Sequence, residues 1–351
     1  MTQSAEIESF IDKYEKEKLL LIDTRSEKEF EHAHIPGAVN IPLLKNEHRQ
    51  KVGIKYKSKG REAAVALGFE LVGPYFHEFI KQTGELTEKR DVMVYCWRGG
   101  MRSSIMSWIL SMAGYRVTLL KGGYKSFRNF ILSQFNIRRD ILVLGGHTGC
   151  GKTEILHELK KWGAQVIDLE NLANHRGSAF GTLGLEPQLS NEFFENQLGI
   201  LWRKLDNAKP VWFEAESHTI GRIKIPDHIF NQLQSAPLIE IICSREYRKK
   251  RIMDEYGVFP KTELTECTSK LKKRLGQLRL KEALCALEED RLNDWLDILI
   301  DYYDKTYSFS LKERSSLQRV SLKIDDDMKS ADIAKKILKE LSVINMKETV
   351  L

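Results

Sequence analysis

The stretch ILVLGGHTGCGKTEILHELKKWG, beginning at Ile141, constrains this chain more than any other. An apolar run of strand length passes straight into a glycine-rich loop, and apolar residues then return at helical spacing. Within it, Gly146, His147, Thr148, Gly149, Cys150, Gly151, Lys152 and Thr153 satisfy G-x-x-x-x-G-K-[ST]. Strand, loop and helix in that order make a phosphate-binding loop. The glycines let the backbone curl so that successive N–H groups and the helix N-terminus point at phosphate oxygens. Lys152 adds a point charge and Thr153 is placed to hold a magnesium ion. Cys150 sits where the loop uses its backbone, so it reads as a small filler. The motif specifies neither a nucleotide nor hydrolysis.

Around this loop the sequence offers second-site acids and arginines. Asp168 closes the run QVIDL, and Glu214 and Glu216 follow the run PVWF. An acid in such a place orders a metal ion or an attacking water in nucleotide hydrolases, although a plain loop acid explains Glu216 nearly as well. Arg245, Arg248 and Arg251 recur every three residues along one helical face and could reach phosphates as lid arginines, touch an RNA backbone, or meet only water. His175 and Arg176, in the polar stretch NLANHRGSAFG, are candidates for lining a substrate pocket or for capping neighbouring elements.

A second loop lies upstream. The run DVMVY reads as a buried strand delivering Cys96, and Cys96-Trp97-Arg98-Gly99-Gly100-Met101-Arg102 then leads into a helical pattern from Arg102 to Ala113. Inward-turned N–H groups, the helix dipole and the cations Arg98 and Arg102 favour a thiolate or an anionic adduct on sulfur, which makes Cys96 the best nucleophile in the chain. Cys-x5-Arg also serves cysteine phosphatases. Tyr95, where a histidine usually precedes that cysteine, and a loop without acids favour chalcogen carriage instead.

The order of runs extends this to the whole chain. Apolar segments at Leu19–Asp23, Asp91–Tyr95 and Val117–Leu120 alternate with helical patterns and predict a small α/β domain over residues 1–136. Runs at Ile141–Leu144, Gln165–Leu169, Pro210–Phe213 and Leu238–Cys243 predict a doubly wound P-loop domain over 137–351. Its last quarter reads as helical, with Leu292, Trp295, Leu296, Leu299, Ile300 and Tyr303 marking one buried face. The 351 residues carry a formal net charge of +6. From Arg245 to Lys281 there are twelve Lys/Arg against five Asp/Glu, whereas Glu282 to Asp304 holds eight acids against Arg291 alone. The basic stretch fits a polyanion such as nucleic acid; a solvated face balanced by the acidic stretch fits the charge count equally. The five cysteines form neither a CxxC pair nor a Cys/His zinc spacing, so no structural metal is expected. The N-terminus lacks a signal-peptide pattern and no apolar run reaches membrane-spanning length, which predicts a cytoplasmic protein without a membrane partner.

The segments LIDTRSEKEF, HIPGAVNIPL, VYCWRGGMRS and VTLLKGGYKSFR together resemble a rhodanese domain. CWRGGMRS joined to GGHTGCGKT, with DLENLANHRGSAFG and FEAESHTIGRIKIP downstream, resembles the tRNA 2-selenouridine synthase family through essentially the whole chain. That resemblance implies a transferase acting on the wobble 2-thiouridine of the tRNAs for Lys, Glu and Gln. The sulfur is first geranylated from geranyl diphosphate, and the S-geranyl group is then displaced with selenophosphate, supplied by its synthase, as selenium donor. It implies that Cys96 bears selenium and that no further cofactor is required, with magnesium possible at the P-loop. On this reading the P-loop holds the diphosphate of the prenyl donor. Asp23, Arg25, Glu29 and His34 match rhodanese positions, and fold-fixing salt links and turn bonds account for them. The main alternative is a P-loop kinase or ATPase regulated by its rhodanese-like part; a nucleic-acid-binding module with an inert Cys96 is another.

Overall fold

The computed structural model describes residues 2–313 and 319–348. They divide into two units, one built from the chain up to Gln134 together with Ser190–Ile200, the other from Phe135–Leu189 and the chain from Leu201 onwards.

The first unit carries five parallel strands: β1 (Thr2–Ala5), β2 (Leu20–Asp23), β3 (Val39–Asn40), β4 (Asp91–Tyr95) and β5 (Arg116–Leu120), in the order β1-β5-β4-β2-β3. Val92, Met93 and Val94 have no exposed surface because β4 is the middle strand and helices cover both faces, which is why DVMVY is apolar at consecutive positions. Cys96 therefore emerges at the centre of the sheet's C-terminal edge. The helical segment Asn46–Val72 breaks its backbone at Gly60, and every residue from 53 to 62 is exposed.

The second unit also has a five-stranded parallel sheet. Its strands are β6 (Ile141–Gly146), β7 (Gln165–Val166), β8 (Val211–Glu214), β11 (Leu238–Ile242) and β12 (Arg319–Lys323), ordered β12-β11-β6-β8-β7; β9 (Thr219–Ile220) and β10 (Ile223–Lys224) form a separate antiparallel pair. The P-loop strand β6 is central, with β8 on one side and β11 on the other, and succession along the chain reverses direction across it. In open α/β sheets ligands bind at such a reversal, beyond the C-terminal strand ends. Leu144 stands in register with Glu214, so the start of the glycine loop and the end of β8 are neighbours.

The alternating α/β organisation expected from sequence is present, with two corrections. The run Gln165–Leu169 is not one strand: β7 ends at Val166, and the Asp168 carboxylate accepts the Asn171 N–H at 2.9 Å, capping the helix Leu169–Ala173. A short polar side chain that can bond to nearby backbone favours a cap over a strand. The last quarter is not wholly helical either. Only Leu322 of β12 is fully buried, so an edge strand leaves too weak an alternation to stand out between helices. The helical face around Trp295 is as expected: Trp295, Leu296, Leu299 and Ile300 are buried against Leu264, Ala283 and Leu287, and the Trp295 indole N–H donates to Thr268 Oγ1 at 3.1 Å.

Candidate functional site

Each unit presents a loop between a central strand and a helix. In the first, the turn after β4 wraps the Cys96 sulfur. The Gly100 N–H donates to Sγ at 3.2 Å, and Ser103 Oγ lies 3.1 Å away. The loop's outer wall is backbone: the Tyr124 and Lys125 N–H groups donate to the carbonyls of Cys96 and Trp97. Gly123, at φ +61°, allows this approach, since a Cβ there would lie 2.3 Å from the Cys96 carbonyl oxygen and 2.4 Å from the Gly99 nitrogen. Cys96 is 3% exposed, while Trp97 and Arg98 are open to solvent.

The two cations expected around Cys96 differ in role. Arg98 is exposed, but Arg102 is committed to Glu29, with Nη1 2.7 Å from its carboxylate. Glu29 also caps the helix Glu27–His32 through the Ser26 N–H and pairs with Arg49 at 2.9 Å. Burial alone would raise the Glu29 pKa; the hydrogen bond and charge of Arg102, the Ser26 N–H and Arg49 outweigh it and hold the carboxyl below its ordinary range. Asp23 and Arg25 form a buried pair at 2.6 Å, with the guanidinium 3.9 Å from the Tyr124 ring centre, and His34 Nδ1 bonds the Phe30 carbonyl. These residues brace the strand ends beneath the cysteine loop.

In the second unit the P-loop takes the expected shape, with Gly146, Gly149 and Gly151 all at positive φ before the helix Lys152–Lys161. Cys150 is buried against Gly146, and burial raises its thiol pKa, which suits a filler. Lys152 Nζ reaches the Gly146 carbonyl at 3.2 Å and the Glu214 carboxylate at 3.4 Å, and Thr153 Oγ1 donates to Glu214 at 2.9 Å. His147 Nδ1 lies 3.0 Å from Asp304.

Glu214 does not stand alone. Glu170, Glu214 and Glu216 bring one carboxylate oxygen each within 4.8 Å of one another. Burial, then the charges of Glu214 and Glu216, push the Glu170 carboxyl up to about 10; burial and Glu214 push Glu216 up to about 8. Three carboxyls facing one lysine have more acid than local charge compensates. That donor set, with the Thr153 hydroxyl, fits a hard divalent cation such as magnesium. Gly177 closes the cluster at φ +66°: a Cβ there would sit 2.9 Å from the Glu170 carboxylate and 3.1 Å from that of Glu216.

The remaining sequence candidates separate by what they touch. Asp168 binds His157 Nε2 at 2.9 Å besides capping its helix. The His175 Nδ1 accepts the Gly177 N–H, and Arg176 ties Glu255 and the Leu183 carbonyl, so both brace the loop. Arg248 grips Asp304 with both nitrogens and reaches the Thr148 carbonyl at 3.4 Å; Arg251 pairs with Glu154 and lies over Gly151. Arg245 pairs with Asp297 and Asp301. Glu170 and Asp304 escaped the sequence reading, whereas Glu29 makes the fold-fixing salt links and turn bond expected of it, with Arg102, Arg49 and the Ser26 N–H. Glu170 alone left a trace there, as an acid two residues beyond Asp168 in the first helical turn.

Comparison with known proteins adds what geometry leaves open. Residues 139–336 match the tRNA 2-selenouridine synthase AAA domain, and residues 6–130 match the rhodanese-like domain. The tRNA 2-selenouridine synthase of Shewanella oneidensis is 33% identical, the match covering 84% of this chain and 87% of that protein. The synthase of Sulfurovum sp. strain NBC37-1 is 36% identical over 84% of this chain and 90% of its own length, and that of Bdellovibrio bacteriovorus 34% identical over 85% and 90%. The chain belongs to the tRNA 2-selenouridine synthase family. Its Cys96 loop falls inside the rhodanese-like match and its P-loop, with the three carboxylates, inside the AAA match. Among the described residues no helix is long and apolar enough to cross a membrane.

Proposed function

We propose that this chain acts on tRNA, converting wobble 2-thiouridine in the tRNAs for Lys, Glu and Gln to 2-selenouridine in two steps. Geranyl diphosphate first alkylates the 2-thio sulfur; selenium from selenophosphate then bonds to C2 as the C2–S bond breaks and geranylthiolate leaves, water cleaving the Se–P bond to release phosphate. An alkylated sulfur leaves carbon more readily than a thiocarbonyl sulfur, which gives the order a chemical reason. The observation that carries the division of labour is the contrast in charge: a thiol met by one backbone N–H and a hydroxyl in one unit, a lysine among three carboxylates in the other.

In the first step the sulfur attacks the allylic carbon, the carbon–oxygen bond breaks and diphosphate leaves. The P-loop N–H groups and Lys152 hold that diphosphate. Thr153, Glu214, Glu170 and Glu216 would hold a magnesium ion, which stabilises charge on a leaving diphosphate. Cys96 serves the selenium step, with the Gly100 N–H directed at its sulfur and the Ser103 hydroxyl beside it. Localisation follows the substrate, in the cytoplasm.

The test is mass spectrometry of nucleosides from 2-thiouridine tRNA incubated with the protein, first with geranyl diphosphate and then with selenophosphate. Cys96→Ala should still form the geranylated nucleoside and lose only the selenated one. Lys152→Ala should lose geranylation. Intact geranylation in Lys152→Ala with selenation alone abolished would overturn the assignment of the P-loop.

A further inference from the structure

The basic stretch between Arg245 and Lys281 is two regions with opposite electrostatic fates. In its first part the cations are spent on neighbouring acids: Arg245 on Asp297 and Asp301, Arg248 on Asp304, Lys249 on Asp297 at 2.9 Å, Arg251 on Glu154, and Lys261 on Asp290 at 2.5 Å. From Lys270 to Lys281 the pattern changes. Six cations, Lys270, Lys272, Lys273, Arg274, Arg279 and Lys281, occupy twelve residues without one acid. None of the six takes part in a salt bridge among the described residues; Arg274 only approaches the Tyr302 hydroxyl, at 3.5 Å.

The backbone holds them in place. Leu271 and Leu275 are buried in the helical core and anchor the short helix Lys272–Leu275, leaving Lys272, Lys273 and Arg274 exposed. Gly276, at φ +79°, then turns the chain directly into the helix Gln277–Glu288, which presents Arg279 and Lys281. A turn pinned by two core leucines displays its charges with little of the ordering cost that loose side chains on a flexible segment would incur.

This face also connects to the P-loop centre. Lys270 is close enough to His175 that its charge helps burial lower the imidazole pKa. His175 holds the Gly177 N–H, and Gly177 abuts Glu170 and Glu216. The path from unpaired cations to the carboxylate cluster runs through a single loop of the same unit.

We infer that the Lys270–Lys281 turn is the surface by which this unit grips the phosphodiester backbone of its RNA substrate. The inference rests on tRNA being that substrate. Phosphate contacts fix position and supply salt-dependent affinity, whereas paired cations such as Arg245 and Lys249 have no counterions to release.

The experiment compares the full chain with Lys272→Gln/Lys273→Gln/Arg274→Gln and with Arg279→Gln/Lys281→Gln, measuring equilibrium binding of a 2-thiouridine tRNA across a salt series together with geranylation kinetics. Lys272, Lys273, Arg274 and Lys281 are exposed and Arg279 is half-buried, so unchanged thermal unfolding checks that both variants fold. The triple variant should bind tRNA about 10- to 100-fold more weakly, flatten the log–log salt slope by roughly 2 to 3, and raise KM for tRNA with kcat kept. Wild-type affinity and slope in both variants would overturn the inference and leave the face to another partner, such as an acidic protein. If wild-type protein itself neither binds nor modifies the tRNA, the reading of tRNA as substrate fails and the inference falls with it. Loss of kcat at unchanged tRNA affinity counts against it as well.

Discussion

The cysteine loop and the P-loop solve the same geometric problem with opposite electrostatics. Both follow a central parallel strand, turn on glycines and open into a helix N-terminus. Around Cys96 the charged side chains are drawn away: Arg102 is held by Glu29, and what faces the sulfur is a backbone N–H and a hydroxyl. Around Lys152 they are drawn together, with Glu214 in contact and Glu170 and Glu216 beside it. A sheet edge thus fixes where an anion can sit, while the residues on adjacent loops decide how that anion is balanced.

The largest effect that would test this contrast is Lys152→Ala. It should lower the rate of geranylation about 100-fold or more, on the scale of losing a fixed charge donor in a preorganised site. Cys96→Ala, read by the same nucleoside analysis, should leave that rate within about 2-fold, a difference of roughly 0.4 kcal/mol. Equal losses in both variants would mean that the two centres do not divide the work.

Next comes Gly177→Ala. A methyl group at positive φ, pressed against two carboxylates, should cost about 1–3 kcal/mol in chemical denaturation. A neutral result would show that the 175–181 loop can withdraw from the acid cluster. Arg102→Ala should be milder, about 1–2 kcal/mol, because Glu29 keeps Arg49 and its Ser26 N–H.

The pH response separates the centres by sign. Glu29 titrates below its ordinary value, so its stabilising contribution is present above that value and is lost as pH falls through the lowered pKa. Glu170 and Glu216 titrate above theirs, to about 10 and about 8, so their protonated forms favour the folded state and that contribution fades as pH rises from the ordinary glutamate range toward those values. In chelator-treated protein, Glu216→Gln should therefore raise the melting temperature at pH 9 relative to the parent and change it little at pH 5. Glu29→Gln should lower it at pH 7 and converge with the parent only as pH falls below the lowered Glu29 pKa. Reversed signs in the calorimetric scans would refute the charge assignment of that centre.

Much of this was legible in the chain, for identifiable reasons. Strands such as DVMVY and ILVL are buried on both faces, so their apolar runs are unbroken, and each loop motif keeps its parts contiguous. What was hidden depends on side chains from distant elements. Glu170 joins the carboxylate cluster beside Glu214 and Glu216, with Gly177 packed against it, and the particular partner that ties Glu29 to the cysteine loop, Arg102, lies 73 residues away in sequence. The basic stretch was ambiguous for the same reason: charge counts cannot show that Asp297, Asp301 and Asp304 fall one helical turn apart and collect Arg245, Lys249 and Arg248 while sparing Lys270 to Lys281.

The helix that begins at Lys152 rests its apolar side, Ile155, Leu156 and Leu159, on residues that arrive late in the chain, Leu322 and Ile324 around β12 and Ile333, Ala334 and Ile337 beyond it. During synthesis the phosphate loop is therefore made long before the floor beneath it exists. A chain stopped near residue 315 would carry an intact G-x-x-x-x-G-K-T motif over bare hydrocarbon and a sheet missing its edge. Such a product would be a substrate for chaperones and proteases rather than a weaker enzyme, and a motif search would miss the difference.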